Sequence, residues 1–375
     1  MSKQEYWDAA PIMATGANYL TVFGERGPGK TYQYKKVAID NYVKGLRKKQ
    51  FAYVRRRAEE IKPGKLANFF NDITDYLEVE MKKVYPDYET FTVQPKSGVF
   101  KLFGWTEESE KIELDDFGYY FALTTARYNK SVPYPRVNTL CYDEFLVDES
   151  KGEYELNNEF SILLNLISTI KRKREDFTVF LLGNSVNRNS KILHDMGINL
   201  REIKQGEIKI YEYCDGDITN TVAVEYTKNY KQSKESESFF VFNNPREKMI
   251  RDGSFEVDEY DTISEDEIFT NYNINKKAII FVTPECRLYG YVLSNKRETV
   301  LYITDERLRK NNDFITFLSS GETKIPWKQF VWGGRVSEKI DLLERKIMKF
   351  HNNNFIKYKN NYVGDDFRHF LHEVR

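Results

Sequence analysis

Residues 24–31 read Gly24-Glu25-Arg26-Gly27-Pro28-Gly29-Lys30-Thr31 and directly follow the apolar run Tyr19-Leu20-Thr21-Val22-Phe23. This is the G-x-x-x-x-G-K-[ST] pattern of a phosphate-binding loop, in which successive backbone N–H groups surround an anion at the start of a helix. Such a loop between a strand and a helix predicts an α/β fold that binds ATP and Mg²⁺. We expect residues 24–32, including Tyr32, to form the nucleotide-binding set, with Lys30 on the β- and γ-phosphates and Thr31 on the metal.

The context of the loop supports this interpretation. Downstream of it, Tyr34, Val37, Ala38 and Tyr42 recur at helical spacing, and Gly45 follows. The apolar run before the loop and this amphipathic stretch after it predict the strand–loop–helix order that the motif requires.

A second part of a nucleotide site lies in the middle of the chain. Residues 137–142 form an apolar, strand-like run that ends in Asp143 and Glu144, the arrangement called Walker B. We expect Asp143 to hold the hydrated Mg²⁺ together with Thr31, and Glu144 to polarise the attacking water as the catalytic glutamate. The second carboxylate distinguishes hydrolytic motors from small-molecule kinases, which have no need of it.

Polar and basic groups follow the next predicted strand and the helix before it. Asn184 comes directly after the strand-like run 178–182, and we expect it to sense the γ-phosphate, although a turn residue capping the next helix fits the spacing equally well. The preceding amphipathic helix ends in a cationic cluster, from which an arginine could reach the nucleotide of a neighbouring subunit. Arg26 and Lys130 are further candidates for contact with phosphate or a neighbour. The cluster consists of Lys171, Arg172, Lys173 and Arg174.

Composition excludes several classes of protein. With 41% hydrophobic and 15% aromatic residues, the 375-residue chain can form real cores, and its length predicts at least two folding units. No apolar run reaches the roughly 18–20 residues of a membrane span, and the N-terminus lacks a signal-peptide pattern. We therefore expect a cytosolic protein with no membrane partner. The cysteines, Cys141, Cys214 and Cys286, are too few and too far apart for a disulfide framework or a zinc cluster.

A formal net charge of zero hides a strongly basic segment. Between Lys44 and Lys65, nine Lys and Arg residues face only Glu59 and Glu60. Such a segment suits a polyanion, although a solvated surface is the alternative.

The order and spacing of these motifs resemble one family, the DNA-packaging ATPases of phi29-like phages, which are ring motors that fill a prohead with double-stranded DNA. The resemblance spans most of the chain. It is carried by residues 23–32, 51–56, 134–135, 142–145 and 163–166, and by Arg172, Arg174, Glu175 and Asn184.

The resemblance implies three parts. Residues 1–227 would form an ASCE-type, RecA-like ATPase domain, a mainly parallel sheet with helices on both faces. Residues 228–270 would form a helical linker module, and residues 271–375 an RNase H-like α/β domain.

The resemblance also implies partners and residue roles. The motor would be a homopentameric ring in the host cytoplasm, attached to the portal vertex of the prohead through a structural packaging RNA. Arg172 is then the first candidate for the arginine finger, and Arg174 is the second. The family implies DNA contacts from the basic segment. Because the loop at residues 57–65 differs in length from its relatives, the region is carried over and single residues are candidates: Arg56, Arg57, Lys62 and Lys65.

The last third of the chain predicts a three-stranded meander at residues 278–282, 288–293 and 299–303, followed by two amphipathic helices. A nuclease on this fold needs several carboxylates around two metal ions. The first predicted strand carries none, although Glu285 follows it and Asp305 follows the third. We therefore expect an inactive, vestigial nuclease that serves as a docking or DNA-guiding surface.

Three functions remain open at this point. The first is an ATP-driven DNA translocase with an inactive nuclease domain. The second is a terminase-like motor whose nuclease cleaves DNA with metal ions, and the third is a nucleotide-gated adaptor for assembly.

Overall fold

The computed structural model describes residues 6–129, 132–147, 156–184, 190–228, 230, 260–283, 286–308, 313–319, 330–331 and 338–374. Lys130 and Glu285 lie outside these residues. The chain divides into two compact units, Met1–Phe255 and Glu256–Arg375. This division falls inside the linker predicted at residues 228–270. Most of that stretch lies outside the described residues, and its described part from residue 260 onward belongs to the second unit.

The first unit is built on a nine-stranded sheet with the order β3-β4-β5-β2-β6-β7-β1-β9-β8. From β5 to β9 in this order all neighbours are parallel, whereas β3, β4 and β5 form an antiparallel extension at one edge and β8 pairs antiparallel with β9 at the other. The strands are β1 (Tyr19–Gly24), β2 (Gln50–Arg55), β3 (Thr90–Lys96), β4 (Val99–Trp105), β5 (Lys111–Ala122), β6 (Val137–Asp143), β7 (Thr178–Asn184), β8 (Ile208–Asp215) and β9 (Ile218–Tyr226).

Helices cover both faces of this sheet, as predicted. Consecutive side chains of a strand point to opposite faces, so Phe51 and Tyr53 of β2 pack in one hydrophobic core while Ala52 and Val54 pack in the other. The first core also takes side chains from α1 (Ala10–Met13), α2 (Lys30–Lys44), α3 (Pro63–Leu66) and α4 (Thr74–Met81). The second core takes them from α5 (Glu159–Lys171) and α6 (Lys191–Asp195). Four 3₁₀ turns complete the described part of this unit, at Ala58–Ile61, Asn71–Ile73, Leu123–Asn129 and Leu200–Glu202.

The strand order places the predicted motifs together. Strand β7 lies between β1, which leads into the phosphate loop, and β6, which ends in the predicted Walker B acid. This additional strand between the two motif strands is the ASCE arrangement that the resemblance implied. Because β1, β2, β6 and β7 are parallel, their carboxyl ends meet at one edge of the sheet, which is where α/β folds bind ligands.

The second unit is a six-stranded sheet with the order β14-β13-β10-β11-β12-β15. Strands β10, β11 and β12 form the predicted antiparallel meander, and β13 then pairs parallel with β10. This is the RNase H-like arrangement. The elements are α7 (Glu265–Asn271), β10 (Asn273–Val282), β11 (Arg287–Ser294), β12 (Thr299–Thr304), β13 (Asp313–Ser319), β14 (Phe330–Val331), α8 (Glu338–Asn352), β15 (Ile356–Tyr358) and α9 (Asn361–Glu373).

The core of the second unit explains its helices. Ile347 of α8 and Phe367 and Phe370 of α9 pack against Phe281 of β10 on one face of the sheet, which confirms the two predicted amphipathic helices. Ile268 of α7 packs on the other face with Tyr291. Among the described residues of the whole chain, no helix is both long enough and apolar enough to cross a membrane.

Candidate active site

The backbone of the phosphate loop depends on two of its glycines. Gly29 precedes α2 with φ +88°, in the left-handed region that a side chain strongly disfavours. Gly24 ends β1 against the buried Thr227, and a Cβ atom at this position would lie 1.8 Å from Thr227 Oγ1. The glycines of the motif therefore serve both the turn and close packing against the chain that leaves β9.

The outer side of the loop is held by neighbouring backbone. Glu25 is buried, and its Oε1 accepts a hydrogen bond from the backbone N–H of Tyr230 at 2.9 Å. The carbonyl of Pro28 accepts from Trp7 N at 2.9 Å, whereas Arg26 and Gly27 are exposed. Arg26 is therefore placed where a phosphate or a neighbouring chain could reach it.

Lys30, the first residue of α2, has a buried ammonium group. It donates to the carbonyl of Glu25 at 2.6 Å and to that of Gly24 at 3.5 Å. Burial lowers the pKa of Lys30 from its ordinary 10.5 to about 8, although the negative charges of Asp143 and Glu25 act to raise it. A phosphate oxygen is a charged and therefore stronger acceptor than these neutral carbonyls. Lys30 is thus poised to exchange them for an anion.

Asp143 lies at the end of β6 beside the first turn of α2. Its Oδ2 accepts from Thr31 Oγ1 and from Tyr53 OH, each at 3.0 Å, and its Oδ1 accepts from the N–H of Glu144 at 3.1 Å. Burial raises the pKa of Asp143, while Arg55 lowers it. Mg²⁺ prefers oxygen ligands and is usually held by one or two carboxylates together with waters and phosphates. The carboxylate and hydroxyl oxygens of Asp143 and Thr31 fit that ion.

Glu144 forms an ion pair with Arg55, which was not among the predicted site residues. The Glu144 side chain is 52% exposed and forms an ion pair with Nη2 of Arg55, and the same nitrogen lies 2.7 Å from Glu60 Oε1. Burial alone would raise the pKa of Glu60, but the hydrogen bonds from Arg55 and from the N–H of Arg57 hold it below its ordinary value. The strand order could have revealed this contact, because Arg55 ends β2 beside the end of β6.

Arg56 requires a correction. Arg56 was predicted as a DNA-binding candidate, but its side chain is only 8% exposed and its guanidinium pairs with the buried Glu159. Consecutive strand residues face opposite ways, so Arg55 reaches Glu144 and Arg56 turns into the core. The side chain of Arg56 is therefore not placed to contact a DNA backbone.

The other basic candidates of this region are exposed. Arg57, Lys62 and Lys65 surround the 3₁₀ turn Ala58–Ile61 and helix α3, immediately after β2. We call residues 57–65, which contain these three cations, the basic turn. Glu60, which shares Arg55 with Glu144, lies within this turn and accepts from the N–H of Arg57 at 2.6 Å. The basic turn and Glu144 are thus linked through one guanidinium group.

Asn184 is the last residue of β7 and pairs in register with Gly24 at the start of the phosphate loop. This position suits a polar group that senses a bound phosphate. The alternative role of capping the next helix belongs to Ser190, whose hydroxyl accepts from the N–H of Leu193 at the start of α6.

The two finger candidates differ in their surroundings. Arg174 donates to the carbonyl of Tyr134 at 2.8 Å and to that of Ile170, near the C-terminal end of α5. Burial and then the charge of Arg172 lower the pKa of Arg174. Arg172 directly follows α5 with φ +50°, is exposed, and lines a groove together with Pro133. Arg174 therefore stabilises the helix end, whereas Arg172 faces outward.

Comparison with known proteins adds three findings. Residues 1–199 match the family described as podovirus DNA encapsidation protein (Gp16). The DNA packaging protein of Bacillus phage phi29 is 30% identical over 188 residues, which is 50% of this chain and 48% of that protein. The DNA packaging protein of Bacillus phage B103 is 34% identical over 168 residues, 44% of each chain. The matched region therefore spans about half the length of these curated relatives.

Two solved structures share the fold over nearly the whole chain. The bacteriophage phi29 viral genome packaging motor assembly aligns with a TM-score of 0.54 and 17% identity, covering 99% of this chain and 100% of that one. The phi28 gp11 DNA packaging motor aligns with a TM-score of 0.51 and 20% identity, covering 100% and 99%. At these identities the two alignments support the fold alone.

Proposed function

Because the chain belongs to the podovirus DNA encapsidation protein (Gp16) family, we propose that it is the ATP-hydrolysing subunit of a motor that moves double-stranded viral DNA into a prohead. One observation carries this proposal. The phosphate-loop Thr31 and the strand-end Asp143 lie in direct contact at 3.0 Å, and Glu144 follows directly, at the carboxyl edge of the sheet.

In this proposal the residues of the site divide the work of hydrolysis. Lys30 binds the β- and γ-phosphates, Thr31 and Asp143 hold Mg²⁺, and Asn184 contacts the γ-phosphate from the next strand. Bound Mg²⁺ supplies charge neutralisation on the phosphates. Glu144 orients the attacking water and accepts its proton, for which its carboxylate must turn away from Arg55.

The shared guanidinium of Arg55 gives a route from DNA to hydrolysis. Nη2 of Arg55 contacts both Glu144 and Glu60, and Glu60 lies within the basic turn. Phosphates bound by the basic turn would shift Glu60 and so change the hold of Arg55 on Glu144. DNA binding through the basic turn should be independent of sequence and should weaken steeply with salt.

We further propose that the motor is a homopentameric ring. Arg172 acts in trans on a neighbour's nucleotide, because it is exposed whereas Arg174 is engaged in its own subunit. The ring would attach to the portal vertex through a packaging RNA, in the host cytoplasm.

The second unit is proposed to dock or guide rather than cut. The buried end of β10, residues 278–282, carries no carboxylate, and Asp305 after β12 forms an ion pair with Lys359 at 3.0 Å. Incubation of the protein with plasmid DNA and Mg²⁺ or Mn²⁺ tests this, since metal-dependent cleavage would instead favour the terminase-like alternative.

The decisive experiment measures ATP hydrolysis with and without double-stranded DNA. Glu144→Gln should abolish turnover, Arg172→Ala should lose it only where subunits share sites, and a mixture of the two should recover part of it. Glu108→Gln, at an exposed glutamate of the same unit, is the matched control. Turnover that Glu144→Gln leaves intact would refute the role of Glu144, and slow turnover that DNA does not stimulate would refute the motor and favour a nucleotide-gated adaptor.

A further inference from the structure

The guanidinium of Arg56 sits between a helix and the turn that follows β6. Its Nε lies 2.9 Å from Glu159 Oε2 and its Nη2 3.1 Å from Glu159 Oε1, a two-point contact with the first residue of α5. Its Nη1 donates to the carbonyl of Glu144 at 3.2 Å, and its Nη2 donates to that of Phe145 at 2.6 Å. Arg56 therefore joins the start of α5 to the backbone of the hydrolytic glutamate.

The carboxylate of Glu159 is fully engaged and completely buried. Its Oε1 also accepts from Tyr142 OH at 2.5 Å, and its Oε2 accepts from the N–H of Leu156 at 2.7 Å. Tyr142 additionally places its ring 5.7 Å from the guanidinium of Arg56. A two-point, buried and hydrogen-bonded pair of this kind fixes both partners in one geometry.

The backbone that Arg56 holds is in an unfavourable conformation. Glu144 has φ +56°, in the left-handed region that residues with a side chain rarely occupy. Such conformations persist only where the surroundings impose them, and they concentrate at functional sites. The two carbonyls that accept from Arg56 belong to Glu144 and to the residue after it. Arg56 is therefore well placed to impose this turn.

We propose that Arg56 and Glu159 form a positioning pair that sets the direction of the Glu144 carboxylate for water activation, with α5 as the fixed anchor. The pair acts on Glu144 through the backbone carbonyls of Glu144 and Phe145. This inference rests on the proposed ATPase function.

The test separates positioning from folding by replacing the whole polar cluster with apolar groups. The variant Arg56→Met, Tyr142→Phe, Glu159→Leu removes both charges and the hydroxyl of the cluster together, which is the replacement that buried ion pairs tolerate best. Glu159→Asp is a second variant that keeps the charge but draws the carboxylate back by one methylene. The matched control is Asp115→Leu with Arg136→Met. This pair also forms a two-point contact, with both distances 2.7 Å, but it lies at the opposite end of β6 from Asp143.

Two quantities are measured for each protein: the Kd for a fluorescent mant-ADP with Mg²⁺, and kcat for ATP hydrolysis. The triple variant should keep its Kd within about threefold of wild type while kcat falls about 10- to 100-fold, because small misplacements of a catalytic group have effects of that size. Glu159→Asp should show the same split, and the control pair should change neither quantity more than about threefold.

The inference is wrong if kcat stays within about threefold of wild type in a variant that binds mant-ADP. It is also wrong if Kd and kcat weaken together, since that result means a general structural role. Should the triple variant fail to fold, Glu159→Asp decides by the same criteria. If the wild type hydrolyses ATP and Glu144→Gln abolishes this activity, the proposed function holds whatever the result for the pair. If the wild type does not hydrolyse ATP, both the proposed function and this inference are overturned.

Discussion

Replacing Lys30 with methionine should abolish nucleotide binding and, at neutral pH, stabilise the nucleotide-free protein. Burial holds the pKa of Lys30 at about 8, below the 10.5 of an ordinary lysine. The folded state therefore releases a proton more easily than the unfolded state does. In the folded chain the charged ammonium is a cost, and that cost is present below about pH 8 and disappears as the pH rises towards about 10.5.

The size of the effect follows from the shift. At about 1.4 kcal/mol per pKa unit, the cost is about 3 kcal/mol at a pH near 7. At a pH near 9.5 the folded chain carries neutral Lys30 while the unfolded chain is still mostly charged, and the cost falls to about 1 kcal/mol. The stability of the wild type should therefore rise by about 2 kcal/mol relative to Lys30→Met between these two pH values.

Urea denaturation at each pH measures this difference. The transition to follow is the one whose urea midpoint Mg²⁺-ADP shifts in the wild type. The contributions of other titrating groups to the pH dependence cancel when the wild type and the variant are compared. Lys62→Met, which removes an exposed lysine, is the control and should follow the wild type. Parallel stability–pH curves for the wild type and Lys30→Met would refute the argument that burial of this ammonium destabilises the unliganded site.

Three further outcomes concern the packing and the exposed cations of the first unit. Gly24→Ala should destabilise the protein by about 1–3 kcal/mol in thermal melts because its Cβ would overlap Thr227, and Thr227→Ala should recover part of this loss; an unchanged melting temperature would contradict the contact. Arg174→Ala should lower the melting temperature through loss of its two carbonyl contacts, whereas Arg172→Ala should leave it unchanged and reduce DNA-dependent turnover; equal effects of the two would show that the roles are wrongly assigned. Replacing the cations of the basic turn with glutamine should lower the slope of log K for DNA binding against log salt concentration by about one per cation. An unchanged slope would place the DNA elsewhere.

The parts of the site predicted from sequence are those that one continuous stretch defines. The phosphate loop depends on the short-range order of glycines, Lys30 and Thr31, so a strand and a helix of the expected type appear on either side of it. Asp143 and Glu144 follow an apolar strand for the same local reason. That Thr31 contacts Asp143 was also predictable, because carboxyl ends of parallel strands share an edge.

The parts that escaped prediction depend on register between distant strands. Arg55 and Arg56 are adjacent and chemically identical, and only the pairing of β2 with β6 determines which of them meets the Glu144 carboxylate. Tyr53 reaches Asp143 for the same reason. Glu159, a surface residue by its charge, is buried because Arg56 arrives from 103 residues away in sequence. No local pattern contains such information.

The chain leaves the central sheet directly over the phosphate loop. Thr227, the residue after β9, packs on Gly24 and donates its N–H to the carbonyl of Phe23, and Tyr230 N then binds Glu25. Thr227 and Tyr230 thereby fasten the chain that leaves β9 to the first two residues of the phosphate loop and to the residue before it. A displacement of Thr227 and Tyr230 would therefore pull on the backbone of the phosphate loop, so the position of the chain that leaves β9 and the binding of an anion by the loop are mechanically coupled.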